Sequence, residues 1–452
     1  MRIERTKTAL ALLLVGLACA VSSLSSAAEE DPNAAMITMV TELINDKDHD
    51  MRALGFQQVR EEVPGEAATK QFAALVKGLA PDAQAGMLEA LGDRKDAAAR
   101  PTILESLNSK DEGVRSAAIK ALGSLGTAAD VPLLAGKTAG DSNAEKDAAR
   151  GSLVRMRGDG ANKAIVAAMA KAEPKVRVAL LGVLAARNAR ESLPEVLKSV
   201  QAEDADVRSA ALGALRFLAD EKNAAAISDI LKAAKDDGER GKAELALLAV
   251  CSRSGEASAE AIIAAMADAD VPSQVALLHA LARASGAKSL EAIVAQLKDD
   301  DEAVRDEAVR MLAGWPDAAA VPHLLKIART DKSKRHQILA IRGLARLSGP
   351  LGDKPADMKT LAELAKLSKR PEEKCLVLGV LSGVGTSESL ALVTPSLDDP
   401  ALAEEAALAA VMIAETIKDG DKSKLKAAVE KAGKKAKDQK LRDRAAKLLK
   451  SL

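Results

Sequence analysis

Large aromatic side chains are almost absent from this sequence of 452 residues. It has three Phe, one Trp and no Tyr, so aromatics make up 1% of the chain although 48% of its residues are hydrophobic. β-Sandwiches and ordinary globular cores use more aromatic area than this. The apolar residues are mostly Ala and Leu, which are strong helix formers, as are the abundant Lys, Glu and Arg. We therefore predict an all-α fold with closely packed helices.

An excess of charge of one sign is also absent, because 65 Lys and Arg balance 65 Asp and Glu. Proteins that bind nucleic acid over a broad surface are basic, so we predict no nucleic-acid partner. The four His are His49, His279, His323 and His336, and no two are spaced to bind a metal from one helix face. We expect them to be structural or solvated, and we predict no metal, no cofactor and no catalytic residue.

Residues 1–28 have the pattern of a secretory signal peptide. Three basic residues among the first seven precede an apolar run from Ala9 to Val21, and small residues follow up to Ala28. The run is too short to span a bilayer, and no other run of membrane length occurs. We predict cleavage after Ala27 or Ala28, and an extracytoplasmic mature chain that is periplasmic or secreted.

Cys19 leaves a second interpretation of the same segment open. The segment Gly16–Cys19 resembles a bacterial lipoprotein box, although Gly16 stands where Leu or a similar residue is usual. Lipidation of Cys19 would anchor the protein to a membrane instead of releasing it.

A repeat of about 31 residues runs through the rest of the chain. Its clearest copies are Val114–Leu122, Val207–Leu215 and Val304–Leu312. Apolar or small residues at the first, fourth, fifth, eighth and ninth positions form one helical stripe. The ninth position is Leu or Val in every copy, from Val59 to Leu449. The copies begin at residues 51, 83, 114, 145, 176, 207, 239, 273, 304, 336, 373, 403 and 441.

A second amphipathic segment lies between successive stripes. It often starts with Pro, as in Val131-Pro132 and Val321-Pro322, and Pro is well tolerated in the first turn of a helix. Each unit is therefore predicted to be a helix–turn–helix, with helix A followed by helix B. Because Cys251 and Cys375 lie four units apart, we predict no disulfide between them.

The signature D-x-x-V-R-x-x-A-x-x-A-L is clearest at Asp111–Leu122, Asp204–Leu215 and Asp301–Leu312. It resembles the HEAT repeat family, in a short form similar to the phycobilisome-lyase-type repeats. The resemblance implies an armadillo-like helical fold over residues 29–452. This fold would be a right-handed α-solenoid of about thirteen repeats, with the B helices on its concave side.

Two charged positions recur near the start of helix B. The second position of the repeat is a basic residue in nine of the thirteen copies. In seven copies an Asp lies three residues before the first position. The seven are Asp48, Asp111, Asp204, Asp236, Asp270, Asp301 and Asp438. The Asp residues are expected to cap helix B and could pair with Arg of a neighbouring unit, which would make both positions a structural ladder. The alternative hypothesis is that the arginines form a row of guanidinium groups that faces a protein partner. Its candidate contact residues are Arg115, Arg177, Arg208 and Arg305.

Positive charge is concentrated in residues 416–452. They contain thirteen Lys or Arg and five Asp or Glu, a net charge of +8, whereas residues 29–415 have a net charge of −10. We predict a polar capping repeat, which terminal units of repeat proteins need for solubility. Contact with an anionic partner, such as a phospholipid surface, stays open. We expect the insertion Gly349–Pro355 to be a spacer and Trp315 to fill a gap between helices.

The function that these features favour is that of a non-catalytic protein-binding scaffold of the bacterial cell envelope. Its partner would be a protein that the sequence does not identify, and no segment is predicted to span a membrane. Two alternatives remain. One is an envelope-attached structural lipoprotein, with peripheral or lipid-anchored membrane association. The other is a HEAT-type enzyme or prosthetic-group chaperone, which the shortage of His, Cys and Tyr disfavours.

Overall fold

The computed structural model describes residues 32–158, 160–350, 355–417 and 421–452. The predicted signal peptide, Cys19 and most of the insertion at 349–355 lie outside the described residues. Within the described residues all regular secondary structure is helical and there is no strand. The prediction of an all-α fold is confirmed.

The α-helices, which we number α1 to α26 in chain order, form thirteen pairs within the described residues. Odd numbers are A helices and even numbers are B helices. The A helices are α1 Pro32–Ile44, α3 Glu66–Leu75, α5 Arg100–Ser106, α7 Val131–Lys137, α9 Ala161–Ala170, α11 Leu193–Ser199, α13 Ala224–Lys232, α15 Ala259–Met266, α17 Gly286–Ala295, α19 Val321–Thr330, α21 Met358–Leu367, α23 Ser387–Val393 and α25 Lys422–Lys435. The B helices are α2 His49–Glu61, α4 Pro81–Arg94, α6 Glu112–Leu125, α8 Asn143–Arg155, α10 Pro174–Ala186, α12 Ala205–Leu218, α14 Asp237–Ser254, α16 Val271–Ala284, α18 Glu302–Ala313, α20 Lys334–Ser348, α22 Pro371–Ser382, α24 Ala403–Thr416 and α26 Gln439–Ser451.

Short 3₁₀ turns lead into or follow several A helices. They lie at Val76–Gly78, Ala97–Ala99, Ala128–Asp130, Arg190–Ser192, Glu221–Asn223, Gly255–Ser258, Gln296–Lys298, Ala318–Ala320 and Thr394–Asp398. The first position of each of the thirteen predicted repeat copies lies in a B helix. It is the third residue of the helix in twelve B helices and the first residue in α24. The predicted register of helix B is therefore confirmed.

The chain divides into two units, one up to Ala211 and the other from Leu212 onward. Within each unit, B helices of consecutive repeats pack on one another, as α4 packs on α6 and α14 packs on α16. The ninth position forms the core of this packing. Its residue is buried in twelve repeats, and only Leu449 in α26 is half-buried.

Small residues let neighbouring B helices approach closely. A Cβ added to Gly92 in α4 would lie 2.9 Å from the Cα of Ala121 in α6, which is closer than real Cβ atoms come. The same crowding occurs between Gly343 in α20 and the Cα of Ala313 in α18, at 2.9 Å. The abundance of Ala and the scarcity of aromatics in the sequence are thus explained by close contact of helix backbones.

Capping residues begin the B helices as predicted. Asp111 accepts a hydrogen bond from the backbone N of Val114 at 3.0 Å, and the other six predicted Asp residues cap their B helices in the same way. Where the Asp is missing, Ser142 caps α8 and Ser333 caps α20. These oxygens satisfy N–H groups that have no partner within the helix.

Candidate functional site

The arginines at the second position of the repeat, which is the fourth residue of helix B, bind the turn that precedes their own helix. Arg115 donates from Nη1 to the carbonyl oxygens of Ser109 and Lys110, each at 2.9 Å. We call this contact the arginine fork. The same fork, to the carbonyls five and six residues upstream and at 2.6–3.0 Å, is made by Arg52, Arg208, Arg305 and Arg442. Three of the four candidate contact residues therefore hold the turn between helix A and helix B.

In the first unit the same guanidinium groups also link consecutive repeats. Arg115 Nε lies 2.6 Å from Glu145 Oε1 in the next B helix, and Lys137 Nζ lies 2.8 Å from Glu145 Oε2. Glu145 is buried, and the hydrogen bonds from Lys137 and Arg115 hold the pKa of its carboxyl below the ordinary value. Arg52 makes the corresponding link to Asp82, at 3.1 Å. These pairs link consecutive repeats, but their carboxylates are Asp82 and Glu145 and not the capping Asp residues that the sequence analysis offered as partners.

Arg177 differs from the other three candidates. It is half-buried on α10, and no hydrogen bond or ion pair joins its side chain to another residue in the described parts of the chain. Its helix starts at Pro174, with no side-chain cap. The Arg177 guanidinium is therefore available to a partner, whereas those of Arg115 and Arg305 already bind backbone carbonyls.

A second set of arginines, which the sequence analysis missed, lies at the other end of the B helices. Arg187, just after α10, donates from Nη1 to the carbonyls of Leu153, Val154 and Met156 at the end of α8, at 2.5–2.9 Å. We call this contact the arginine clamp. In the second unit Arg253 makes a clamp to the carbonyl of Arg216 at 2.9 Å and to that of Ala219 at 2.7 Å.

Clamps also join other B helices within each unit. Arg94 donates to the carbonyls of Val59, Glu62 and Val63 at 2.6–2.8 Å, and Arg346 donates to the carbonyls of Ala313 and Trp315. These carbonyl groups lie at or just beyond the C-terminal ends of helices, where they lack a donor within the helix and the helix dipole is negative. A guanidinium therefore stabilises them both as a hydrogen-bond donor and as a positive charge. Desolvation lowers the pKa of Arg94 and of Arg187. Because Trp315 is itself buried, its predicted role as a filler between helices is confirmed.

In the second unit histidine, as well as arginine, links neighbouring B helices. His279 in α16 places Nδ1 2.7 Å from Glu244 Oε1 in α14 and Nε2 3.1 Å from Glu307 Oε1 in α18. The hydrogen bond to Glu244 and the contact with Glu307 raise the pKa of His279 to about 9. At neutral pH this imidazole is therefore a cation held between two carboxylates.

His336, two repeats further on in α20, makes a similar link. Its Nε2 lies 2.6 Å from Asp306 Oδ1 in α18, and its Nδ1 lies 3.1 Å from Asp331 Oδ2. His49 is exposed and His323 is half-exposed. A structural role is thus confirmed for two of the four His. Among the described residues, no cluster of three or more His, Cys, Asp or Glu has the arrangement of a metal site.

The cysteines within the described residues are both free thiols. Cys251 is buried, and desolvation raises the pKa of its thiol to about 11. Cys375 is half-buried, and desolvation with nearby carboxylates raises its pKa as well. Both thiols are therefore less easily deprotonated than an ordinary cysteine.

The second unit exposes large apolar side chains on consecutive B helices. Phe217 in α12 is 58% exposed and Leu245 in α14 is 48% exposed. The Arg216 guanidinium lies 6.0 Å from the centroid of the Phe217 ring. Gly213 lies one turn before Phe217, and a Cβ added to it would meet no atom within 4 Å. We call the four residues Gly213, Arg216, Phe217 and Leu245 of these two helices the Phe217 patch.

Comparison with protein families identifies the class of this chain. A family model for HEAT repeats matches residues 70–153, 162–248 and 259–345, which is more than half of the sequence. The chain belongs to the HEAT repeat family, and its fold is that family's α-solenoid. None of the curated proteins has a sequence that matches it. In the described residues, none of the helices has both the length and the hydrophobicity needed to cross a bilayer.

Among solved structures the chain is similar to karyopherins. The karyopherin Kap121p bound to the SUMO protease Ulp1p aligns with a TM-score of 0.53 and 13% identity over 93% of this chain. Kap121p bound to Pho4p aligns with a TM-score of 0.52, also at 13% identity over 93% of the chain. In both cases the match covers 53% of the karyopherin, so the chain spans about half the length of these structures. At this identity the similarity concerns the fold.

Proposed function

We propose that this protein is a non-catalytic protein-binding scaffold. The observation that carries the proposal is the Phe217 patch, in which Phe217 is 58% exposed beside Arg216 and Leu245 is 48% exposed. Aromatic side chains, including Phe, and arginine side chains are enriched at protein–protein interfaces. The forks, clamps and histidine links stabilise the repeats, so these exposed side chains have no evident structural task. That karyopherins of the same fold bind proteins adds support by analogy.

We further propose Arg177 as a contact residue of the first unit. Its guanidinium has no partner among the described residues and suits a carboxylate of a protein ligand. Contact with a partner through Arg115, Arg208 and Arg305 stays a prediction. Charge reversal at Arg115 or Arg305 would break a fork and lower stability, so it cannot test binding by itself.

The test is recovery of partners from an envelope extract on immobilised protein. We expect the double variant Phe217→Ser, Leu245→Ser to lose the partners that the parent retains. The matched control is Leu133→Ser, which removes a 43% exposed leucine from the A helix α7. Equal recovery by all three proteins would refute the proposal. Recovery that is also reduced for Leu133→Ser would show a general effect of surface hydrophobicity instead.

We also propose that the protein works outside the cytoplasm, in the bacterial periplasm or as a secreted protein, and is exported by the signal at residues 1–28. The mass of the mature N-terminus tests this directly. A chain that starts at Ala28 or Glu29 agrees with the proposal, and retention of residues 1–28 refutes it. A lipid-modified N-terminus at Cys19 would identify the alternative, an envelope-attached lipoprotein.

A further inference from the structure

The last helix pair of the described chain is strongly basic. Residues 421–452, which contain α25 and α26, have twelve Lys or Arg and four Asp or Glu. Two of the four acidic side chains are engaged as helix caps, namely Asp421 for α25 and Asp438 for α26. Even with all four carboxylates counted, this helix pair has a net charge of +8.

Most of these lysines have no carboxylate partner. Lys431 pairs with Asp398 at 2.6 Å, Lys424 lies 3.7 Å from Asp421, and Arg444 pairs with Glu415. Eight further lysines are exposed and make no ion pair with any of the described residues. They are Lys422, Lys426, Lys434, Lys435, Lys437, Lys440, Lys447 and Lys450. Twelve cationic against four anionic side chains give this helix pair a clear excess of positive charge.

The arrangement on α26 separates charge from apolar contact. Lys440, Lys447 and Lys450 are spaced by seven and three residues, so they share one face of the helix. The buried residues Leu441 and Ala445 lie on the opposite face. The helix packs through its apolar side and presents ammonium groups to the outside.

We propose that α25 and α26 form an electrostatic docking surface for an anionic phospholipid bilayer. Clusters of lysine bind anionic lipid headgroups through summed Coulomb attraction, which needs no pocket. Lysine presents a compact point charge and, unlike arginine, does not make bidentate contacts with single phosphates. None of residues 421–452 is aromatic, so the stacking by which proteins hold single-stranded nucleic acid is absent. This inference does not depend on the proposed protein-binding function.

The experiment is co-sedimentation of residues 29–452, which retain every described helix, with two kinds of vesicle. One is pure phosphatidylcholine and the other contains phosphatidylglycerol as well. We expect binding to the anionic vesicles to exceed binding to the neutral ones by at least about tenfold at low salt and to be lost at high salt.

A matched pair of variants assigns the binding to this surface. The terminal variant has Gln in place of four lysines, Lys434, Lys437, Lys440 and Lys447. We expect its binding to anionic vesicles to be at least about tenfold weaker than that of the parent. The control changes Lys163, Lys171, Lys175 and Lys332 to Gln, which removes the same charge from four exposed lysines of other repeats. It should bind as the parent does.

Three outcomes would overturn the proposal. They are equal binding to neutral vesicles, unchanged binding of the terminal variant, and displacement from the vesicles by a single-stranded oligonucleotide that binds more tightly. Circular dichroism of both variants establishes that they are folded. Partner recovery through the Phe217 patch is measured without vesicles, so failure of either proposal leaves the other testable.

Discussion

The two units contain links between B helices that differ in chemistry and in their position along the helix. In the first, Arg115 reaches Glu145 in the next repeat, and the cation is a guanidinium that stays charged at any ordinary pH. In the second, His279 stands between Glu244 and Glu307, and the cation is an imidazole that can lose its proton. The residue that supplies the positive charge therefore determines how each link responds to pH.

The largest effect should be common to both units, because both share the buried ninth position. Leu122 and Leu344 are fully buried, so Leu122→Asp or Leu344→Asp places an unpaired carboxylate in the core. We expect each to lower the free energy of unfolding by more than about 3 kcal/mol. Thermal unfolding measures this loss. A melting curve equal to that of the parent in either variant would contradict the assigned register in that unit.

The next effect concerns the arginine clamps. Arg187→Met keeps most of the side-chain length but leaves three carbonyls of the preceding repeat without their donor. We expect a loss of about 1–3 kcal/mol in the free energy of unfolding. Arg177→Met, on the same repeat, removes a guanidinium without a partner and should change stability by less than about 0.5 kcal/mol. Equal losses in urea unfolding would show that the clamp adds nothing specific.

The difference between the units should appear in the pH dependence of stability. The pKa of His279 is raised from 6.5 to about 9, so its contribution is fully present below pH 6.5 and is lost as the pH rises through 9. With allowance for its partial exposure, we expect His279→Gln to cost about 1–2 kcal/mol at pH 6 and much less at pH 10.

The matched variant in the first unit is Arg115→Gln. Its cost should be constant across that alkaline range, because the guanidinium does not titrate there. It should diminish only in acid, since the pKa of Glu145 is lowered and the pair's contribution is lost as the pH falls below 4.5 toward that pKa. Parallel pH profiles of the two variants would rule out the proposed difference in chemistry.

The smallest effects come from two glycines of the first unit, and they should have opposite signs. Gly182 in α10 has open space around an added Cβ, so Gly182→Ala should stabilise the helix by about 0.5–1 kcal/mol. Gly92 in α4 lies against the backbone of Ala121, so Gly92→Ala should destabilise the packing despite the gain in helix propensity. Melting temperatures that rise in both variants would mean that the B helices are less closely packed than described.

The architecture was predictable because it depends on local patterns. The B-helix register, the Asp caps and the buried ninth position each follow from residues within one repeat, such as Asp111 and Leu122. Phe217 could also have been recognised, since it lies two residues after the ninth position and so off the apolar stripe. A phenylalanine at a position outside the apolar stripe is the signal that the sequence analysis did not use.

The links between repeats were harder to predict because their partners are distant in sequence. The acceptors of the Arg187 clamp are backbone carbonyls more than thirty residues away, and a carbonyl has no sequence signature. His279 meets Glu244 and Glu307 only because α14, α16 and α18 stack with a particular offset. A repeat alignment gives the order of the helices but not that offset.

The central claim is that each repeat is stabilised by its immediate neighbours alone. Hydrogen–deuterium exchange on Leu344→Asp tests it most directly, because protection can be followed helix by helix in the second unit. We predict that amides in α18, α20 and α22 lose protection while those of α14, three repeats away, keep it. Uniform loss of protection throughout the second unit would contradict the claim.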